Sequence, residues 1–356
     1  MTSVWNPITI GMLTLKHRFA LAPMTRGRAQ IDGTPSPLAA EYYGQRASLG
    51  LLITEGTQPS ADGQGYIGSP GIYTDAHVIG WRKVTDAVHE GGGHVFIQLM
   101  HVGRQSHPDN TPHHRQPVAP SAVRPGVQMF TLSGMQDIPE PRALSTEEVQ
   151  STVQDFRLAA RKAIEAGADG VEIHGANGYL VHQFLAENAN LRTDAYGGSI
   201  ENRGRFALEV AQAIADEIGP ERTAIRLSPG APLGGIVEGS DSAELYRYLT
   251  RELAKLNLAY LHIMHFGDDA LLADIRTLWS GPVLVVRLGR TRETLLDDLN
   301  SGLADLVPIG RWALANPDFV ERYRTGAAFN PDDPATYYAG GAVGYTDYPF
   351  LANATA

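Results

Sequence analysis

Short, almost uninterrupted apolar runs alternate along the chain with longer stretches whose apolar residues return every three or four positions. The runs are RFALAP (18–23), LGLLITEG (49–56), HVFIQLM (94–100), DGVEIHG (169–175), RTAIRLSP (222–229), AYLHIM (259–264), VLVVRLG (283–289) and ADLVPIG (304–310). A run that is apolar on both sides of the pleat suits a strand covered on both faces, as in a parallel sheet. Between the runs, Ser36 and Pro37 open LAAEYYGQRA as a helix, and Val78, Trp81, Val84 and Val88 form a stripe that stops at Gly91. Ser145 to Glu148 has the form of a capping box, with Val149, Val153, Phe156, Ala160 and Ile164 following on one face. Phe206, Val210, Ile214 and Ile218 repeat the pattern. Eight β-then-α units predict a closed (β/α)8 TIM barrel. A doubly wound sheet is the alternative, but no Gly-rich dinucleotide loop follows the first run, and the match at Gly175 and Gly178 is weak.

The chain has 356 residues, 43% of them hydrophobic, so it can bury a large core. A barrel of this type takes about 250 residues, and the largest surplus lies after strand 3. That stretch, 101–144, is rich in Pro and His, contains the hairpin-like MFTLSGMQDI, and is expected to form a lid insertion within one domain spanning 1–356. The absence of cysteine excludes disulfides, thiolate metal sites and Cys nucleophiles. A net charge of −10 argues against nucleic acid as partner, though a few local Arg residues could still bind a small anion. The N-terminus lacks the order of a signal peptide and no apolar run approaches membrane-spanning length, which points to a cytoplasmic location without a membrane partner.

Barrel chemistry gathers at the carboxyl ends of the strands. There the chain offers Thr25, Gly56, Gln98, Met100, His174, Asn177, Tyr179, Arg226, Leu288, Gly289, Gly310 and Arg311. No Lys ends a strand and no paired carboxylates end adjacent strands, which disfavours Schiff-base and glycosidase chemistry. Gly289, Gly310 and Arg311 close strands seven and eight, where barrels commonly hold a phosphate; plain turns are the other reading. Thr25, Gln98 and Arg226 suit the hydrogen-bonding edge of an isoalloxazine, and a cation at its N1–C2=O side would favour the anionic reduced ring.

The run HGANGYLVHQFLAENANLRTDAYGGSIENRGRF (174–206) resembles the signature of the old yellow enzyme family, FMN-dependent ene-reductases. APMTR (22–26), ITEGTQPSADGQGY (53–66), FIQLMHVGRQSH (96–107), IGRWALANPDFVER (309–322) and GYTDYPFL (344–351) extend the resemblance over essentially the whole chain. It implies non-covalent FMN, with Pro23, Met24, Thr25 and Gly56 at the ring. Gln98 would take the pyrimidine edge, Arg226 N1 and O2, and Leu288, Gly289, Gly310 and Arg311 the phosphate. It also implies NADPH or NADH as reductant and activated alkenes, unsaturated carbonyl and nitro compounds, as substrates. His174 and Asn177 would bind the activating oxygen, Tyr179 would give the proton, and Tyr66, Met100 and Tyr345 would line the substrate pocket.

Two positions depart from the family pattern: Leu288 stands where Gly is usual, and Met100 where related bacterial enzymes often carry Trp. Arg290 is open between a phosphate contact and solvent, and His182 is expected to be structural. His101, His107, His113 and His114 invite a metal, but without a carboxylate partner at a strand end no metal site is expected. Competing readings are a metal-dependent barrel hydrolase and a non-catalytic flavin barrel; either monomer or homodimer is compatible with the sequence.

Overall fold

Each apolar run supplies one strand of a single parallel sheet. In the computed structural model, which describes residues 3–351, these are β1 Phe19–Leu21, β2 Leu51–Ile53, β3 His94–Leu99, β4 Gly170–Gly175, β5 Thr223–Leu227, β6 Tyr260–His265, β7 Val283–Arg287 and β8 Val307–Ile309. They pair in chain order, β8 pairs with β1, and a bridge between Leu284 and Leu306 joins β7 to the segment entering β8. The sheet therefore closes on itself as a (β/α)8 barrel.

Strand alternation sorts the side chains into two cores. Ile97, Ile173, Ile225, Leu261 and Val283 point outward and pack with Trp81, Val84, Phe156 and Phe206 of the surrounding helices. Ala20, Leu51, Ile53, Phe96, Ala224, Tyr260, Leu284 and Leu306 point inward and fill the lower barrel. Gly170 faces Phe96 across β3 and β4, and a Cβ added there would lie 2.5 Å from the Phe96 ring. Above this apolar layer the inward positions turn polar, with Gln98, Glu172, Arg226 and His262 all buried.

The N-terminal end of the barrel is plugged by a hairpin, Ile8–Ile10 with Leu13–Leu15, whose Ile10 and Leu15 join the inner core. The sequence pattern does not reveal it, because each of its strands buries only one residue of three and so shows no apolar run. The helices follow the expected stripes: Asp75–Glu90, Thr146–Glu165 and Ile200–Ile218. Ser145 and Glu148 form the reciprocal capping box, whereas Ser36 precedes helix Pro37–Gln45 without a side-chain cap bond.

The 101–144 segment contains a hairpin, Gln128–Thr131 with Gly134–Asp137, and a parallel pair, Val118–Ala119 with Arg142–Ala143. It is stitched to the loops after β2 and β5. Ser106 Oγ donates to the Gln64 carbonyl at 2.8 Å, Asn110 Nδ2 to Gly65 at 3.1 Å and Gln105 Nε2 to Gly234 at 2.6 Å. Among the described residues no helix is long and apolar enough to cross a membrane.

Candidate active site

The polar inner layer is built by register. Gln98 on β3 pairs with Glu172 on β4, and His174 on β4 pairs with Arg226 on β5, which pairs with His262 on β6. Gln98 Nε2 donates to Glu172 Oε1 at 2.7 Å, and His262 Nδ1 donates to Glu172 Oε2 at 2.9 Å. One of the two Gln98 amide hydrogens, expected on a ligand edge, is thus committed to a carboxylate; the other and its carbonyl remain. Arg226 Nη2 meets Met264 Sδ at 3.1 Å, while its buried Nε has no protein partner.

At the top of β4 the chain turns sharply. Asn177 adopts φ +58° and Gly178 φ +84°, a left-handed pair that Asn and Gly tolerate best. The Asn177 N–H donates to Ser228 Oγ at 2.9 Å, and its Oδ1 is buried without a partner. His182 holds the turn from below: its Nδ1 accepts the Gly178 N–H at 3.0 Å and its Nε2 bonds Glu238 Oε1 at 2.7 Å. This is the structural role expected of it.

His174 and Tyr179 stand ring edge to ring face at 4.8 Å between centroids. Burial, with Arg226 and His262 nearby, holds the His174 pKa well below the ordinary imidazole value. It is neutral at neutral pH, and its Nδ1 accepts the Ala176 N–H at 3.3 Å. The remaining proton therefore sits on Nε2, which is a donor. Burial pushes the Tyr179 phenol well above its ordinary range, so it keeps its proton; its Oη donates to Tyr66 Oη at 3.2 Å.

Around this centre, Pro23 is buried and Met24 and Thr25 are half-buried in the extended segment leaving β1. Glu55, which the sequence reading passed over, pins that segment: its Oε2 accepts the Arg26 and Gly27 N–H groups, both at 2.9 Å. A carboxylate ending the buried run LLITEG was the signal. Met100 is buried against Gly56, where an added Cβ would lie 2.4 Å from its sulfur. Leu288 is exposed, Gly289 has φ +78° with open space beside it, and Gly310 precedes helix Arg311–Ala315 with only Met24 Sδ at 3.8 Å. Arg311 is exposed, while Arg290 is engaged by Asp297 at 2.8 Å and Asp298 at 3.1 Å.

One expected pocket wall is misplaced. Tyr345 is 1% exposed and stacks on Tyr42 at 4.2 Å, with the Arg28 guanidinium 4.5 Å from its ring. It is part of a clamp in which Arg26 and Arg28 bind carbonyls of residues 336–344. Tyr338, on that clamped segment, is 67% exposed. The four loop histidines engage separately: His101 Nδ1 accepts from Gly103 and His107 Nδ1 from Asp109, while His113 and His114 bond the Ala61 and Pro108 carbonyls. Among the described residues no group of three His, Cys, Asp or Glu side chains is arranged to hold a metal.

The profile of the NADH:flavin oxidoreductase / NADH oxidase family matches residues 3–330. The chain is 43% identical over 357 residues to a Leishmania infantum protein described as "Probable flavin mononucleotide-dependent alkene reductase", covering 97% of each chain. Its fold superposes on morphinone reductase in complex with tetrahydroNAD with a TM-score of 0.95 at 43% identity, over 100% of this chain and 99% of that one. The old yellow enzyme homologue from Zymomonas mobilis gives a TM-score of 0.95 at 39% identity, over 98% of this chain and 100% of that one.

Proposed function

The chain belongs to the NADH:flavin oxidoreductase / NADH oxidase family, that of the old yellow enzymes, and on that premise we propose that His174, Asn177 and Tyr179 carry its FMN-dependent reduction of activated C=C bonds. FMN, when bound, supplies a ring that is reduced by a nicotinamide nucleotide and passes the electron pair to the alkene's β-carbon. The inner layer fits such a ring. Arg226 has a buried Nε without a partner, Gln98 retains an N–H and a carbonyl, and the backbone at Gly289 and Gly310 leaves room for a phosphate beside Arg311.

As the β-carbon of an unsaturated carbonyl or nitro compound is reduced, charge develops on the activating oxygen. The Nε2–H of neutral His174 and the Asn177 amide act as fixed donors to that oxygen, stabilising the charge where it appears. Tyr179, held protonated by burial, delivers its proton to the α-carbon. Tyr66, hydrogen-bonded to the donor phenol, shapes the substrate space. NADH or NADPH serves as reductant in the same mouth, a reading supported by the tetrahydroNAD complex of morphinone reductase.

The observation that carries this reading is the meeting of a neutral imidazole, a left-handed Asn and a protonated phenol above one buried cation. The test is an anaerobic spectrum. The purified protein should be yellow, bleach with NADH or NADPH, and regain colour when 2-cyclohexenone is added. Bleaching without that recovery would leave only a flavin reductase.

A further inference from the structure

Beneath the ring site lies a buried charge that the reaction above does not use. Glu172 is completely enclosed within the barrel, held by the Gln98 amide at 2.7 Å and by His262 at 2.9 Å. It sits one inward position below His174 on β4, and Arg226 lies on the next strand. A buried carboxylate is retained only when its neighbours satisfy it. Resting on the FMN assignment, we propose that Glu172 is a positioning and potential-setting residue: its carboxylate balances the Arg226 guanidinium under the flavin and orients the Gln98 amide toward the ring edge.

The electrostatics follow from the contacts. Burial works against the Glu172 carboxylate, but His262, Arg226 and Gln98 together hold its pKa below the ordinary value. Burial, with Arg226 adding to it, outweighs the opposing pull of Glu172 and keeps His262 below its ordinary value, so it serves as a neutral Nδ1–H donor. Its Nε2 is then a bare acceptor, buried and without a partner. The layer is thus one cation and one anion, close to neutral overall. The reduced flavin carries more negative charge than the oxidised one, so a net cation beneath it would stabilise the reduced state, and a neutral pair does so less. The carboxylate therefore keeps the reduced cofactor a strong donor to the alkene, at the expense of its own reduction by the nicotinamide.

The experiment compares Glu172→Gln with the wild-type holoenzyme. The isosteric amide keeps the shape and removes the charge. The expected result is a more positive flavin midpoint potential by spectroelectrochemistry. Reduction by NADH or NADPH should be faster and reoxidation by 2-cyclohexenone slower, the latter by on the order of tenfold. Opposite signs in the two half-reactions are what a purely structural role would not produce. An unchanged potential, or both half-reactions slowed together, overturns the proposal. If Glu172→Gln does not retain FMN, His262→Leu is measured instead: losing that donor favours the protonated, uncharged form of Glu172, and the potential should shift in the same direction by less. A wild-type protein without flavin would defeat the functional assignment itself, which separates that failure from this one.

Discussion

At the scale of single residues, the roles proposed for Tyr179 and Asn177 at the mouth of the barrel can be told apart by substitution. Tyr179→Phe should leave flavin reduction by the nicotinamide unchanged and slow alkene turnover by about 10²–10⁴-fold, the usual worth of a positioned proton donor; single-turnover stopped-flow of both half-reactions checks this. Asn177→Ala should cost about 10²–10³-fold in the alkene step alone, as expected for one of two donors to a developing oxyanion. It should also lower Tm slightly, because Ala tolerates the φ of +58° at this position less well than Asn does. These side chains were legible from the sequence because His174, Asn177 and Tyr179 follow one buried strand within six positions. The tyrosines of the C-terminal segment were not: Tyr338 and Tyr345 lie in the same loop-rich stretch, and nothing in residue type says which one stacks on Tyr42 under the Arg28 clamp. The inner carboxylate hid in the same way, since Glu172 occupies the centre of an otherwise apolar run.

At the scale of elements, period and composition located every barrel strand, because both faces of each are covered and their apolar runs stand out. They failed for the N-terminal hairpin, whose burial comes from the barrel that it plugs rather than from its own pattern. The strand glycines carry information of another kind. Gly170→Ala would drive a methyl group to within 2.4 Å of the Arg222 carbonyl and 2.5 Å of the Phe96 ring in the tightly packed lower layer, where overpacking typically costs about 1–3 kcal/mol. A clear fall in Tm with FMN binding retained is the expected outcome. Because the Arg222 carbonyl is fixed in the backbone, adding Phe96→Leu to Gly170→Ala should recover only part of that loss.

For the whole molecule, one helix-to-loop contact gives stability a pH dependence. Asp155, on helix Thr146–Glu165, has its pKa pushed up to about 6 from 3.8, chiefly by burial, with Ser60 opposing and Asp62 adding to the rise. A carboxyl raised in the folded state favours folding while it is protonated, and that contribution is lost as pH rises through about 6. Asp155→Asn should therefore raise Tm at pH 7.5 and have little effect at pH 4, as thermal melts at the two values would reveal. The closure of the sheet has a different consequence. Leu21 of β1 pairs with Ile309 of β8, so the first barrel strand to emerge from the ribosome waits for the last before its outer edge is covered. Throughout synthesis a nascent chain therefore displays an open, apolar β-edge. Its exposure to chaperones, and to self-association when translation stalls, is governed by how quickly the stretch from Leu21 to Ile309 is translated.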